Sequence, residues 1–583
     1  MRKLLLAGSL FALSAPAFAD ANGDLTALVD DVWAASLKEQ PVYASALGVN
    51  DYASELGDYT LAAQDRRAAD AAKFLWRLNA IPADTLNSAS KVEAGILRRA
   101  LNSTIEGNSF GQRAINFTTY SSWHQQLAGM AQNLPFRTKA DYESYNARLA
   151  QYARVNDENI AVANVAIKGK YTQPCVTLTG FEGTISGLIA SDINKSRFYE
   201  PYAAKRPDAV SEADFAALAK AADTTIRNVI HPALNKQLAW YTASYKPACA
   251  TAPGVSAQPG GDKYYAFRIR EETTTSLTAE QIHQIGLSEV TRIRAEMVEV
   301  ATKAGYPSRE AFIQHLRTDP QYYAKTPEEL MEKVARVTKI IDGKMPSLFG
   351  RLPRLPYGIK EIPAETAEGT TTAYYNQGSP EIGISGTYFV NTSKLNQRPF
   401  WEIPALSVHE AVPGHHNQIA LQQELPLSDF RKYGAFFTAF TEGWGLYSER
   451  LGIEMGLYDT PAKDMGRLSY EMWRACRLVV DTGIHAKGWS KQQAIDFMTD
   501  NSALSAANIE AEVNRYISWP GQALAYKLGE LKIRELRNMA TKELGPKFNL
   551  AAFHDAVLGQ GSVPLDVLEQ QIKDWVASEK AKG

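Results

Sequence analysis

The stretch His409-Glu410-Ala411-Val412-Pro413-Gly414-His415-His416 places three of the chain's nine histidines and a glutamate within eight residues. It begins like HExxH, the pattern in which two histidines four apart share a helix face and the glutamate beside the first reaches a zinc-bound water. Here Pro413 stands where the second histidine belongs, and the next histidines come six and seven residues after the first. On an unbroken helix His415 would be rotated away from His409, and His416 would stand about 10.5 Å further along the axis. Proline cannot continue the hydrogen-bond ladder and glycine accepts unusual backbone angles. Pro413-Gly414 therefore predicts a kink or bulge that returns one of the pair to His409. The residues leave open whether that one is His415 or His416.

Zinc hydrolysis needs imidazoles or carboxylates converging on one ion, an open position for water, and a carboxylate to take that water's proton. A third ligand is expected downstream on a neighbouring helix. FTAFTEGWGLYSE, residues 437–449, supplies Glu442 and, seven residues later on the same helical face, Glu449. Glu442 sits among Phe440, Gly443, Trp444 and Gly445, and a carboxylate in such an apolar setting needs a cation or metal partner. Glu449, followed by Arg450, reads as an outer neighbour of the site or a surface residue. An isolated His-Glu pair would carry no signal. Three histidines and a glutamate followed by an apolar helix with its own glutamate do.

The rest of the chain bounds the setting. Its 583 residues have a net charge of −2 and are 45% hydrophobic and 22% charged, the composition of a globular protein with a large core. No basic run points to nucleic acid or to an anionic membrane. Residues 1–19 read as a signal peptide: Arg2 and Lys3, an apolar stretch, then Ala17-Phe18-Ala19 as the cleavage motif. The expectation is an exported, soluble chain, periplasmic or extracellular, with no membrane span after cleavage. Cys175 and Cys249 could pair in an oxidising compartment, though spacing alone does not establish it. Cys476 lies in an apolar helical stretch and reads as a small buried hydrophobe.

Most of the mature chain reads as helix. Leu25, Leu28, Val29, Val32, Trp33 and Leu37 keep the amphipathic spacing. Thr278 with Gln281 forms a capping box ahead of Ile282, Ile285, Val290, Ile293, Met297 and Val300. Thr326-Pro327-Glu328-Glu329 opens another helix, and Ser490 with Gln493 caps a third. The Gly- and Pro-rich 250–263 reads as a linker or long loop between an N-terminal helical region, 20–249, and a metal-binding helical region, 264–583. Residues 370–392 read as a β-hairpin around a Gly-Ser-Pro turn, just ahead of the histidine cluster. In YEMWRACRLVVDTGIHAKGW, Arg474, Arg477, Asp481 and His485 fall on one helical stripe.

HEAVPGHH, TEGWGLYSE and NRYISWPGQALAYKLG, in this order, resemble the blocks of the family known as domain of unknown function 885. The resemblance runs over most of the mature chain. That family is similar in plan to the helical glutamate-zincins, the class of angiotensin-converting enzyme, thimet oligopeptidase and the thermostable carboxypeptidases, although the spacer here is longer than theirs. The resemblance implies a mainly α, two-lobed zincin-like fold with a deep channel and a small β-sheet beside the metal. It implies one zinc ion per chain, held by His409, His415 and Glu442, with His416 as the alternative to His415. Glu410 would be the general base, Tyr516 and Tyr526 the donors to the oxyanion, and Arg515 a substrate-binding residue; His485, from the helical stripe, could line the channel and bind substrate as well. An edge strand from 370–392 would pair with the substrate backbone. The expected function is cleavage of short peptides. The alternatives are hydrolysis of a non-peptide amide or ester, and peptide binding without turnover.

Overall fold

The computed structural model describes residues 20–118, 121–368 and 370–582. The expected leader at 1–19 lies outside the described residues. The chain is mainly α-helical with one small three-stranded sheet.

The opening helix α1 (Ala21–Glu39) starts where the Asp20 side chain accepts from Asn22 N–H, and it buries Leu25, Leu28, Val29 and Leu37. With α2 (Leu61–Ala80) and α3 (Ser88–Asn108) it packs into a core shared with residues from 341 to 576. A second core, from 56 to 245, is rich in tyrosine and tryptophan. Packing therefore does not follow the division at 249. Helices α1, α2 and α3 belong to the same core as the helix that carries Glu442.

Cys175 and Cys249 form a disulfide. The segment after it is a packed loop rather than a tether. Val255 is buried and its N–H donates to His485 Nδ1 at 3.1 Å. A side chain at Gly254 would strike the Ile484 carbonyl.

Helix α4 (Ala279–Lys303) begins at the capping box of Thr278 and Gln281, and α5 (Pro327–Asp342) at the Thr326 cap. The sheet follows, with β1 (Tyr357–Glu361), β2 (Ala373–Asn376) and β3 (Gly386–Val390) in the order β1-β3-β2. β2 and β3 are the expected antiparallel pair, with Tyr374 opposite Phe389. β1 adds parallel to β3 and was not foreseen, because the alternation of Tyr357 and Ile359 is short and interrupted by Gly358.

The site is built from α6 (Ile403–Glu410), α7 (His415–Glu424), α8 (Thr438–Leu451), α9 (Pro461–Lys487), α10 (Ala506–Ser518) and α11 (Ala525–Leu544). α9 is buried along nearly its whole length and lies against α4. At the crossing, a Cβ on Gly286 would come within 2.8 Å of Leu478 and Val479. A plain surface helix is thus excluded for α9. Both faces of its polar stripe meet protein.

Candidate metal centre and active-site cavity

α6 ends at Glu410 because Ala411 leaves helical geometry, at φ −95° and ψ −115°. Pro413 has no N–H to offer a ladder, and α7 starts afresh at His415. The turn between them is pinned. Trp444 Nε1 donates to the Pro413 carbonyl at 2.7 Å, and His416 N–H donates to the Ala411 carbonyl at 3.0 Å. A Cβ on Gly414 would lie 1.9 Å from the His409 carbonyl oxygen, so only glycine fits this close return. The result stands the His409 and His415 rings 4.7 Å apart and nearly perpendicular.

Glycine spacing brings α8 to the same place. A Cβ on Gly445 would sit 2.8 Å from the His409 ring, and one on Gly443 would sit 2.5 Å from the Gly529 backbone. With Trp444 between them, the two glycines let α8 approach α6 on one side and α11 on the other. Glu442 is thereby carried to the histidines. Its Oε2 lies 3.5 Å from His409 Nε2 and 3.3 Å from His415 Nε2. Ligand atoms tetrahedrally placed around a zinc ion at about 2.0–2.1 Å stand roughly 3.3–3.4 Å from one another. Both measured edges therefore have the spacing of a ligand set, and one atom from each residue lies within 4.8 Å of the others.

Charge agrees with that geometry. Burial disfavours a proton on His409, but contacts with Glu442 and Glu449 outweigh it and raise its pKa to about 9. Burial also works to raise Glu442, yet the His415 and His409 imidazoles hold its carboxyl well below the usual range. Glu442 Oε2 has no hydrogen-bond partner among the described residues. A cluster with this excess of acceptors calls for a cation, which protons or a divalent ion can supply.

Glu449 sets the tautomer of His409. It is buried on α8, with Oε1 accepting from His409 Nδ1 at 2.8 Å and from Arg474 Nη2 at 3.0 Å. This leaves Nε2 of His409 turned toward Glu442, the outer carboxylate–histidine arrangement found around metals. His416 points elsewhere. Its Nε2 donates to the Leu355 carbonyl at 2.9 Å and its Nδ1 accepts from the Tyr375 hydroxyl at 3.0 Å. Burial lowers its pKa to about 4, so it stays neutral.

A cavity of about 320 Å³ opens over the cluster, lined by His409, Glu410, His415 and Glu442 on one side and by Trp473, Arg474, Arg477, Arg515 and Tyr526 on the other. The Tyr526 hydroxyl accepts from Arg515 Nη2 at 2.9 Å, and its ring lies nearly parallel to His409. The Arg477 guanidinium sits 4.1 Å over the same ring. Thr370 to Tyr375 close the third wall. β2 is an edge of the sheet. Asn391 N–H donates to the Thr372 carbonyl, so the alternation of the ladder turns the N–H and C=O of Ala373 and Tyr375 away from β3.

Two expected site residues lie outside this cavity. Tyr516 is buried beneath it, its hydroxyl accepting from Trp473 Nε1 at 2.8 Å and from Arg477 Nε at 2.9 Å. It positions the arginine instead of facing a substrate. His485 is fully buried between Val255 N–H and the Tyr516 carbonyl, which its Nε2 reaches at 2.9 Å. The helical stripe divides here: Arg474 and Arg477 reach the cavity, whereas Asp481 accepts from Gly521 N–H and the Tyr265 hydroxyl. Sequence reasoning left Arg474, Arg477 and Glu449 undecided and missed Trp473. A run of arginine beside tryptophan inside an apolar helix was the available signal.

The profile of the family described as bacterial proteins of unknown function (DUF885) matches residues 41–572, and the chain belongs to that family. Among solved structures, a chain from Colwellia psychrerythraea described as a lipoprotein is 28% identical, with a TM-score of 0.88. The match covers 96% of this chain and 100% of that one. A second, from Shewanella oneidensis and described as a lipoprotein of unknown function, is 20% identical with a TM-score of 0.71. That match covers 95% of this chain and 100% of the other, and it supports the fold alone. No curated protein matches the chain.

Proposed function

We propose that this protein is an exported zinc-dependent hydrolase of short peptides, with His409, His415 and Glu442 as the ligands of one zinc ion. The observation that carries the reading is the spacing of the Glu442 carboxylate to two imidazole nitrogens, 3.5 and 3.3 Å, at the wall of a cavity that also holds Glu410. Bound there, zinc would lower the pKa of a water toward neutrality and polarise the scissile carbonyl.

The chain's own groups supply the rest. Glu410 takes the proton of the attacking water on its carboxylate and returns it to the leaving amine. Tyr526 accepts a hydrogen bond from Arg515, which leaves its own O–H free to donate to the developing oxyanion. Arg515 and Arg477 present positive charge to an anionic group of the substrate. The outward N–H and C=O of Ala373 and Tyr375 pair with an extended peptide backbone. Separate packing cores within the chain are compatible with the two-lobed plan of the helical zincins. Export rests on the leader-like residues 1–19 and on the Cys175–Cys249 disulfide, which suits an oxidising compartment. Among the described residues, no helix is long and apolar enough to cross a membrane.

The test is metal content per chain by plasma mass spectrometry, joined to a peptide-library assay. About one zinc is expected in the parent and in His416→Ala, and little in the His409, His415 and Glu442 alanine variants. Glu410→Gln should keep its zinc and lose turnover by roughly 10²- to 10⁴-fold. A parent that takes up no divalent metal sinks the reading. Cleavage of esters or non-peptide amides in place of peptides would change the substrate class.

A further inference from the structure

A second cavity, of about 550 Å³, lies at the far end of β2. The two cavities divide one continuous run of chain: Thr370 to Tyr375 line the first, and Asn376 to Ser379 line the second. The opposite wall of the second cavity comes from the N-terminal region, through Val42, Leu47, Leu127 and Met130, with Ile382 and Ile384 beside the strand end. Amide side chains, among them Gln126, Asn133 and Gln377, complete it. Its one carboxylate, Glu39, is already paired with Arg66 and Arg67 at 3.1 and 3.0 Å. The chamber thus presents apolar surface and neutral polar groups, with its only acid neutralised.

Its walls are tied to the candidate metal centre. Gln423, on the last turn of the helix that begins with His415, donates to the Gly378 carbonyl at 3.1 Å. Ser379 and Ile384 bridge to each other through two backbone hydrogen bonds. Glu381 accepts from Tyr433, whose carbonyl accepts from Tyr43 at 2.7 Å, so the loop is fastened to the N-terminal region. Gly378 has room for no side chain, since a Cβ would meet Gly386 N at 2.5 Å. A shaped, braced chamber that continues a free strand edge has the build of a substrate subsite.

The geometry points to this second cavity as a distal subsite that takes an apolar side chain of the same peptide whose backbone pairs with β2. Strand residues advance about 3.3 Å each, so the interval from Tyr375 to Gly378 or Ser379 corresponds to roughly three or four substrate residues. The preferred substrate is therefore a peptide long enough to reach the chamber, carrying a leucine- or phenylalanine-sized residue about three or four positions beyond the one that pairs with Tyr375. An aliphatic or aromatic side chain buried there changes affinity by roughly ten- to a hundredfold. The inference rests on the reading of β2 as the substrate-guiding edge of a hydrolytic centre.

The test uses one set of peptides in which leucine replaces glycine at each position in turn, read by cleavage and by calorimetric binding to the full chain carrying Glu410→Gln. The expected result is a single position, several residues to one side of the cleavage point, where leucine improves kcat/KM and affinity by roughly ten- to a hundredfold. Leu47→Lys and Val42→Lys, both on half-buried wall residues, should erase that preference while short peptides are cut as before. No position-dependent preference, equal effects of the two variants on short and long peptides, or no binding of any peptide overturns the subsite. Cleavage without the preference leaves the hydrolase reading standing, and leucine-dependent binding without any cleavage leaves the subsite standing alone.

Discussion

Two buried acidic clusters draw on α9 through residues one turn apart, Glu471 and Arg474, and they differ in what neutralises them. In the first cluster Lys527, fully buried, meets Glu289, Glu471 and Glu530 at 3.0, 3.0 and 2.9 Å. Arg467 and Arg534 complete that cluster at 3.4 Å from Glu471 and 3.1 Å from Glu530, and Arg292 joins Glu289 at 2.7 Å. Those carboxylates have cations from the chain itself, which hold Glu471 far below the ordinary carboxylate range against the effect of burial. In the second cluster Glu449 has Arg474, but Glu442, among the described residues, faces imidazoles. The first cluster is electrostatically complete and serves the fold. In the second, Glu442 meets no lysine or arginine among the described residues, and a carboxylate left to imidazoles is the mark of a site that binds something.

That contrast can be broken from either side. The largest effect is expected for Lys527→Met, which removes the one cation shared by all three carboxylates and leaves each with arginine alone, and should lower unfolding stability by about 3–5 kcal/mol, read as a fall in the urea midpoint, with zinc content unchanged. Removing metal with a chelator acts on the other cluster. Restoring zinc at a thousand times its dissociation constant should return about 4 kcal/mol, seen as a concentration-dependent rise in thermal midpoint. The same addition to the Glu442→Ala chain should return almost nothing. Glu449→Gln weakens the orientation of His409, and competition against a chromophoric chelator should show a roughly 10- to 100-fold loss of zinc affinity.

The smallest effect is a pH dependence outside both clusters. Asp481 is buried against Tyr265 and Gly521, and burial outweighs those hydrogen bonds and raises its pKa to about 7. Its folded value exceeds its unfolded one, so the folded state holds a proton that the unfolded chain releases. The contribution is greatest below about pH 4 and falls as pH rises to 7, by roughly 1–3 kcal/mol. Urea midpoints of the parent should decline over that window relative to Asp481→Asn. A flat difference would show that Asp481 titrates at its ordinary value.

Much of the helical framework was legible because its signals are local. The capping boxes at Thr278 and Ser490 and the cap at Thr326 stand where they were expected. Those motifs depend on residues three apart in the chain. The sheet was legible only where it was a hairpin. β1 escaped because its strand character comes from β3, about thirty residues later, and not from its own side chains. Asp481 and His485 misled because helical spacing puts them on a stripe with Arg474 and Arg477, while the stripe turns from the cavity wall into the contact with Val255 and Gly521.

By itself the sequence determined that histidines and a glutamate stand at a helix break, that a second glutamate lies in an apolar helix with glycines beside it, and that the body is helical. These are statements about residue type and short spacing, and sequence holds them directly. Tertiary structure alone decided that His415 faces Glu442 while His416 turns to Leu355 and Tyr375, that Glu449 orients His409, and that Tyr526 borders the cavity while Tyr516 lies beneath it. The physical reason is the same in each case. Adjacent or similarly placed side chains are separated by which neighbour lies across from them, and those neighbours come from segments tens to more than a hundred residues away in the chain.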